Sequence, residues 1–390
     1  MIEAEVQSPP VPPIEKPLAP RESRWRELWR LFKRNKLAFL GLVIFIFFFL
    51  TALSGLTLTS GTKPVFDPAV VRLEEKLRPP LSRPLGETLG SQAMPRLGIY
   101  LFGTDDLGRD VFSRMMQGAW VSLTVGFVAV GISVLVGIIL GGISGYYGQK
   151  AVTADQVTAA AMLIVGTGLL LAKIAVAGAL LLVGAILCFV LSPRWKRRER
   201  DRGEGRWSRV FSMRAISIDT LIMRFVDIML CFPSFFLILT VVALLPPSIY
   251  NIMIVIGLTS WMGTTRFVRA EFLSLREQDF VTAARALGVS NGRIIFRHMV
   301  PNAIAPVLVS ATIGIASAIL TESALSFLGL GVPPPHATWG NILSDGKSYI
   351  FDAPWLTFIP GIAILIVVLS FNLFGEGLRD ILNPRLRERS

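Results

Sequence analysis

Residues 282–302 read TAARALGVSNGRIIFRHMVPN. Three arginines, a histidine, closely spaced alanines and a mid-segment glycine, Gly288, make this the least membrane-like stretch in the second half of the chain. Apolar runs flank it on both sides, and apolar runs recur along the rest of the sequence. A run of about 20 apolar residues is the length needed to cross a hydrocarbon core. Only 17% of the 390 residues are charged and 52% are hydrophobic, whereas a soluble domain carries roughly a quarter charged residues. These observations specify an all-α polytopic membrane protein, with residues 282–302 as a polar connection between two spans.

The formal net charge is +12. In a soluble protein that balance would suggest nucleic acid. Here the basic residues sit in short loops between apolar runs, the pattern of loops retained in the cytoplasm, so no nucleic-acid partner is expected. Cys188 and Cys231 lie in apolar runs without a neighbouring His or Cys, so neither a metal site nor a disulfide framework is implied. The first apolar run follows a long tail and no A-x-A-like site comes after it, so it is expected to stay as a signal anchor.

Residues 1–36 divide into a proline-rich tail expected to be disordered and a basic stretch, RESRWRELWRLFKRNK. In that stretch Trp25, Leu28, Trp29 and Phe32 recur with helical spacing, which suits a helix lying on the membrane surface; a partner helix of the calmodulin-target kind is the rival reading. Residues 37–58 are the first span and 59–112 an extracytoplasmic segment of mixed polarity; a multi-span core occupies 113–390. Within it, spans are expected at about 119–147, 225–245, 252–267, 303–330 and 356–373. Gly137, Gly141 and Gly145 put a small-residue stripe on the second span, which admits close approach of another helix. Residues 151–215 add a hydrophobic stretch and a basic loop. Parity asks for an even number of crossings there: two short helices at 155–172 and 174–191 satisfy it, as does a shallow hairpin or one surface helix. The reading is six core spans plus an inserted pair, with both termini in the cytoplasm.

Locally, Asp279 can cap a short helix over 280–287. Phe280, Ala283, Ala284 and Leu287 then share a face. Gly288 suits the left-handed residue after a helix, Ser290 can cap a second helix through Phe296, and Pro301 leads into the next span. A short helix between spans can dock into a partner's groove or rest on the membrane as a surface loop; periodicity leaves both open.

Other polar clusters were weighed by their chemistry. FGTDDLGRDVFSR gathers Asp105, Asp106, Arg109, Asp110 and Arg114. The spacing fits no EF-hand loop, which favours salt-bridged packing of an outer loop, with a ligand-receiving role at a pore mouth as the functional alternative. Glu322 lies within an apolar run; a central carboxylate costs about 2.5–3.5 kcal/mol on insertion scales, so it faces protein or a water-filled path. Arg224 and Asp227 can pair at i, i+3. His298 and His336 fall on opposite sides of the membrane and build neither a zinc site nor a catalytic triad. GGISGYYGQK lacks the GK[ST] ending of a phosphate loop. The chain is therefore not expected to be an enzyme, with no catalytic residues, metal or cofactor of its own. An ion-coupled secondary transporter, the alternative, would need several midplane ionisable residues, and Glu322 is the serious instance.

The segments FGTDDLGRDVFSR, GGISGYYG, DTLIMRFVDIMLCFPSF, DFVTAARALGVSNGRIIFRHMVPN, TESALSFLGLGVPPPHATWGNIL and SFNLFGEGLRDILNPR resemble, in that order, the permeases of bacterial ABC importers in the peptide branch. The chain is similar to the second, C-type permease of dipeptide and oligopeptide importers over nearly all of 25–390 except 151–215. The resemblance implies a type I importer core in the bacterial cytoplasmic (inner) membrane, forming half of a translocation pathway for peptides. It implies a homologous second permease, two ATPase subunits that carry ATP and Mg, an extracytoplasmic binding protein and surrounding lipid. Related permeases also carry nickel chelates, glutathione or cell-wall peptides. The cytoplasmic segment 271–301 would then hold the ATPase-coupling loop at 279–301, through Asp279, Phe280, Thr282, Ala283, Ala284, Leu287, Gly288, Arg293 and Pro301. The family's usual glutamate before the two alanines is Thr282 here, and the 151–215 insert is a departure from the family.

Overall fold

Two glycines let the two central helices touch. The computed structural model describes residues 30, 32–61, 64–85, 95–148, 151–153 and 214–382. Its helices run Lys36–Thr59 (α1), Val111–Tyr147 (α2), Ile218–Cys231 (α3), Ser234–Leu244 (α4), Ile249–Arg276 (α5), Asp279–Ala286 (α6), Asn291–Phe327 (α7), Trp339–Gly346 (α8) and Trp355–Leu382 (α9). The α2–α5 pair is the most extensive contact between elements. A Cβ on Gly141 would stand 2.6 Å from the Thr265 carbonyl oxygen, and one on Gly145 would stand 2.5 Å from Phe272 Cβ. The small-residue stripe thus has its partner: the α5 face of Thr264, Thr265, Val268 and Phe272.

Around this pair, α7 packs on α2 and α9, and α1 packs on α9 and α2. Phe45 of α1 stacks on Phe374 and meets Phe371 edge-on, at centroid distances of 6.0 and 5.2 Å, which closes the α1–α9 seam. Phe32, assigned above to a membrane-facing stripe, is instead buried against Ala38, Ile381 and Phe374. The short stem before α1 finds an apolar site on α9 before it reaches lipid. Trp25, Leu28 and Trp29 lie outside the described residues, as do the proline-rich tail, residues 154–213 of the insert with its expected helix pair, and the basic C-terminus.

The expected six spans are drawn differently by the structure. Among the described residues, α1, α2, α7 and α9 are long and apolar enough to cross a membrane, and a fifth crossing exists if α3 and α4 count as one. That pair, expected as a continuous span at 225–245, is bent by 80°. Pro233 has no N–H to give, and it forces Phe232 before it to φ −84°, ψ 129°, an extended conformation. The remaining long helix, α5, has 28 residues, but its second half carries Arg266, Arg269, Glu271 and Arg276, which dilute its apolar character.

Boundaries also moved. The second span begins at Val111, where Asp110 accepts hydrogen bonds from the N–H groups of Phe112 and Ser113. At 37 residues α2 is about 55 Å long, so it outreaches a hydrocarbon core and ties both ends of the bundle together. At one end it meets the 64–110 segment and α8; at the other it meets α3, α6 and the start of α7. The strands Ala151–Thr153 (β1) and Arg214–Ser217 (β2) pair antiparallel, Ala151 opposite Ser217. The two ends of the insert therefore leave and re-enter the bundle side by side.

Candidate functional site

The α6 segment has a small core of its own. Phe272, Val281, Ala284, Ile294, Met299 and Val307 are buried together with Tyr146. Phe280, Ala283 and Leu287 point the other way; Phe280 is 40% and Leu287 83% exposed. Spacing at i, i+3, i+7 lines them along one face, so most of the expected face exists and is turned to solvent. Ala284 is the correction. It is 7% exposed and packs inward with Val281, because a helix with apolar residues on both sides must bury one of them and the larger Val281 directs the choice.

The turn after α6 follows the backbone's requirements. Gly288 has φ +73°. Its N–H bonds to the Arg285 carbonyl at 3.0 Å and the Val289 N–H bonds to Ala284 at 3.1 Å. This paired return is a Schellman ending, which satisfies carbonyls left open by the helix terminus. At the other end Asp279 is not the cap. Gln278 holds that position and Asp279 is the first helical residue, where its charge still favours the helix N-terminus. Thr282 is exposed and its hydroxyl donates to the Asp279 carbonyl at 2.9 Å.

The second short helix expected from Ser290 to Phe296 does not stop there. It runs on as α7 through a π-helical stretch, Ile294–Met299, into the apolar span. Pro301 lies inside this continuous helix. The wider π turn just ahead of it relieves the clash a proline ring makes with the preceding turn. Arg293 and Arg297 are exposed along this stretch, and Phe296 is 66% exposed. The surface thus sets exposed Phe280, Ala283, Leu287 and Phe296 among arginines.

At the opposite end the charges are turned inward. Asp105 is fully buried. It accepts from Arg109 Nε at 2.6 Å, from Arg114 Nη1, and from the backbone N–H groups of Leu107 and Arg109. Arg109 and Arg114 then reach Asp345 of α8 at 3.2 and 2.9 Å. Asp105, Asp106 and Asp345 bring oxygens within 4.8 Å of one another, but the two guanidinium groups occupy that space as counter-ions. Burial, reinforced by Asp105 and Asp345, pushes the Asp106 carboxyl above its ordinary range. Burial likewise raises Asp110, against the hydrogen bonds it receives as the α2 cap.

Glu322 is fully buried in α7 and accepts from Ser326 at 2.7 Å and from Ser122 of α2 at 3.3 Å. Ser122 also accepts from the Trp339 N–H at 3.4 Å. Within this chain the carboxylate therefore stitches α2 to α7 close to α8. Asp227 sits 3.9 Å from Arg224 but 2.6 Å from Arg266 of α5, so its stronger partner lies across helices. His298 lies in the π-helical stretch near the start of α7 and His336 follows its far end, which keeps them apart.

Several residues of these sites escaped the sequence reading. Asp345 is 236 residues from Arg109, and no periodicity links them. Asp219, held by Arg269 through both carboxylate oxygens, was absorbed into an apolar motif. Tyr146 donates its hydroxyl to Asn291 at 2.7 Å, and the Arg285 guanidinium lies 5.0 Å from its ring centre. The one available signal was a tyrosine pair following a glycine stripe.

Comparison with known proteins gives the family. Residues 207–388 match the family described as binding-protein-dependent transport system inner membrane component, and residues 23–80 match the N-terminal transmembrane domain of oligopeptide transport permease C. The chain is 36% identical to a dipeptide transport system permease protein DppC of Alkalihalophilus pseudofirmus, over 94% of this chain and 91% of that one. It is 30% identical to the oligopeptide transport system permease protein OppC of Bacillus subtilis, with coverage of 94% and 91%. It is 32% identical to a di/tripeptide transport system permease protein DppC of Pseudomonas aeruginosa, over 96% and 97%.

Proposed function

We infer the working parts of this protein from one premise: the chain belongs to the dipeptide and oligopeptide permease branch of the binding-protein-dependent transport inner membrane components. It is a multi-pass inner-membrane permease subunit of an ATP-binding-cassette peptide importer and not a catalytic subunit. Such permeases work with a partner permease, ATPase subunits and a binding protein. Against an ion-coupled transporter stands the state of Glu322, which is enclosed by hydrogen bonds to Ser122 and Ser326.

We propose that segment 279–301 is the ATPase-coupling element. The observation that carries it is the outward row of Phe280, Ala283 and Leu287 on a helix whose other face is anchored by Val281 and Ala284. A rigid backbone with a few exposed apolar knobs and a basic rim suits insertion into a groove on a soluble partner. ATP and Mg then reside on two ATPase subunits, and this chain contributes the lever. On this reading the end bearing α6 is cytoplasmic and both termini lie on that side, which the basic residues near them favour. The other end, with the Asp105–Arg109–Arg114–Asp345 network, faces the binding protein. The cargo is a short peptide, and the 113–390 core with a homologous permease encloses its path.

The test is subunit retention. Leu287→Arg in the complete transporter is expected to release the ATPase subunits during purification while the permease pair stays together. Stoichiometric ATPase subunits and normal import by that variant would overturn the assignment.

A further inference from the structure

The GGISGYYG stretch supplies two glycines of the α2 stripe, and it also ends α2 where α3, α6 and α7 meet. Tyr146 is 5% exposed. Its hydroxyl donates to Asn291 Oδ1 at 2.7 Å and Arg285 of α6 lies over its ring, so one side chain grips both arms of the coupling segment. Half a turn earlier, Ser144 donates to Asp219 in the first turn of α3. Asp219 is clamped in turn by Arg269 of α5, with Nη2 at 2.6 Å, and its own N–H bonds to the Gly148 carbonyl at 3.4 Å. Gly145, between the two, leaves no room for a side chain against Phe272, so this end of α2 cannot shift without moving α5. Ser144 and Tyr146 are buried, Asp219 and Arg269 half-buried, and Asn291 and Arg285 exposed, so the network links the packed end of α2 to the solvent-facing arms of the segment.

We propose that Tyr146 is a positioning residue of the transport cycle. With Ser144 it forms a joint that carries movement of the coupling segment into α3, the helix broken at Pro233. The inference rests on the reading of 279–301 as the coupling element. The joint is suited to transmission because its two outputs lie on one rigid helical turn. Displacing Asn291 and Arg285 pulls Tyr146, and Ser144 on the same turn pulls Asp219. The α3–α4 break then supplies the hinge, since Cys231–Ser234 is exposed and free of regular helical hydrogen bonding across the proline.

The exposed Cys231 at the end of α3 is a native reporter. The experiment uses the complete transporter carrying Cys188→Ser and compares N-ethylmaleimide labelling of Cys231 before and after vanadate trapping. In the parent, trapping is expected to change the labelling rate about fivefold or more, a coupling of ordinary size. Tyr146→Phe, which removes only the hydroxyl, is expected to retain its ATPase subunits and hydrolyse ATP while the change at Cys231 falls below about twofold. Asn291→Ala should do the same, the double variant should be no worse, and Asn291→Asp, which keeps an acceptor oxygen, should restore the response. A packing role alone would leave Tyr146→Phe indistinguishable from the parent, and that result would overturn the proposal. So would a Cys231 rate that ignores trapping in the parent, or loss of the ATPase subunits from Tyr146→Phe. Leu287→Arg serves as the separate control: if it keeps its ATPase subunits, the coupling reading fails whatever Tyr146 does.

Discussion

The two ends of the bundle treat charge in opposite ways. At the α8 end, Asp105, Arg109, Arg114 and Asp345 bond to one another, and Asp105 and Arg114 are buried. At the α6 end, Arg293 and Arg297 face solvent beside exposed Phe296 and Leu287. A buried ion pair is a poor source of net stability but a costly thing to break. An exposed apolar side chain among arginines adds little to the fold and is available to a partner. The first end is built to hold its shape, and the second leaves its charged and apolar side chains unspent within the described residues.

That contrast can be broken most directly at Arg114. Arg114→Ala leaves the buried Asp105 with only Arg109 as counter-ion, and is expected to cost about 3 kcal/mol. A thermal melt of the detergent-purified transporter measures this, and a loss within experimental error would mean the network is ornamental. Next comes the seam that joins the two ends. Gly141→Leu drives a side chain against the Thr265 carbonyl and Val268, with an expected cost of about 2 kcal/mol from overpacking. Should this variant melt like the parent, the α2–α5 contact is looser than drawn.

A subtler probe is pH. The Asp106 carboxyl is raised by burial and by the charges of Asp105 and Asp345. A raised carboxylate binds its proton more tightly in the folded state, so stability falls as pH climbs from the ordinary carboxylate range through the elevated value. Its side chain is 31% exposed, so screening limits the effect to roughly 0.5 kcal/mol. Asp106→Asn is expected to flatten that slope in melts taken across the acidic range; an unchanged slope assigns it to another group. The smallest change in stability, within about 0.5 kcal/mol, is expected for Leu287→Arg at the other end. The same substitution should produce the complete loss of ATPase retention described above. Stability and function thus rank the two ends in opposite order, and a variant at either end that lowers both equally would erase the distinction.

Much of the α6 end was legible because its determinants are local. A glycine just past a helix-forming run asks for φ above zero wherever the rest of the chain goes, and Gly288, two residues after Ala286, adopts it. The alanine face was read only in part. Helical spacing allots Ala283 and Ala284 to neighbouring positions, but which one turns inward depends on Val281 meeting Phe272 and Met299, a fact of packing. Pro233 was visible yet passed over, because a long apolar run suggested one span. The proline's effect on its neighbour was sufficient to end α3.

The sequence by itself determined the membrane class, the approximate places of most apolar helices, the small-residue stripe on α2 and the helix-and-glycine form of the 279–288 stretch. Hydropathy and backbone preference act within a few residues, so they survive in one dimension. The tertiary structure alone decided which charges are spent internally. Asp345 reaches Arg109 across 236 residues, and Asn291 meets Tyr146 across 145. Such pairs form because helices packed for apolar reasons bring polar groups to one place, where burial makes each group's bond to its neighbour obligatory.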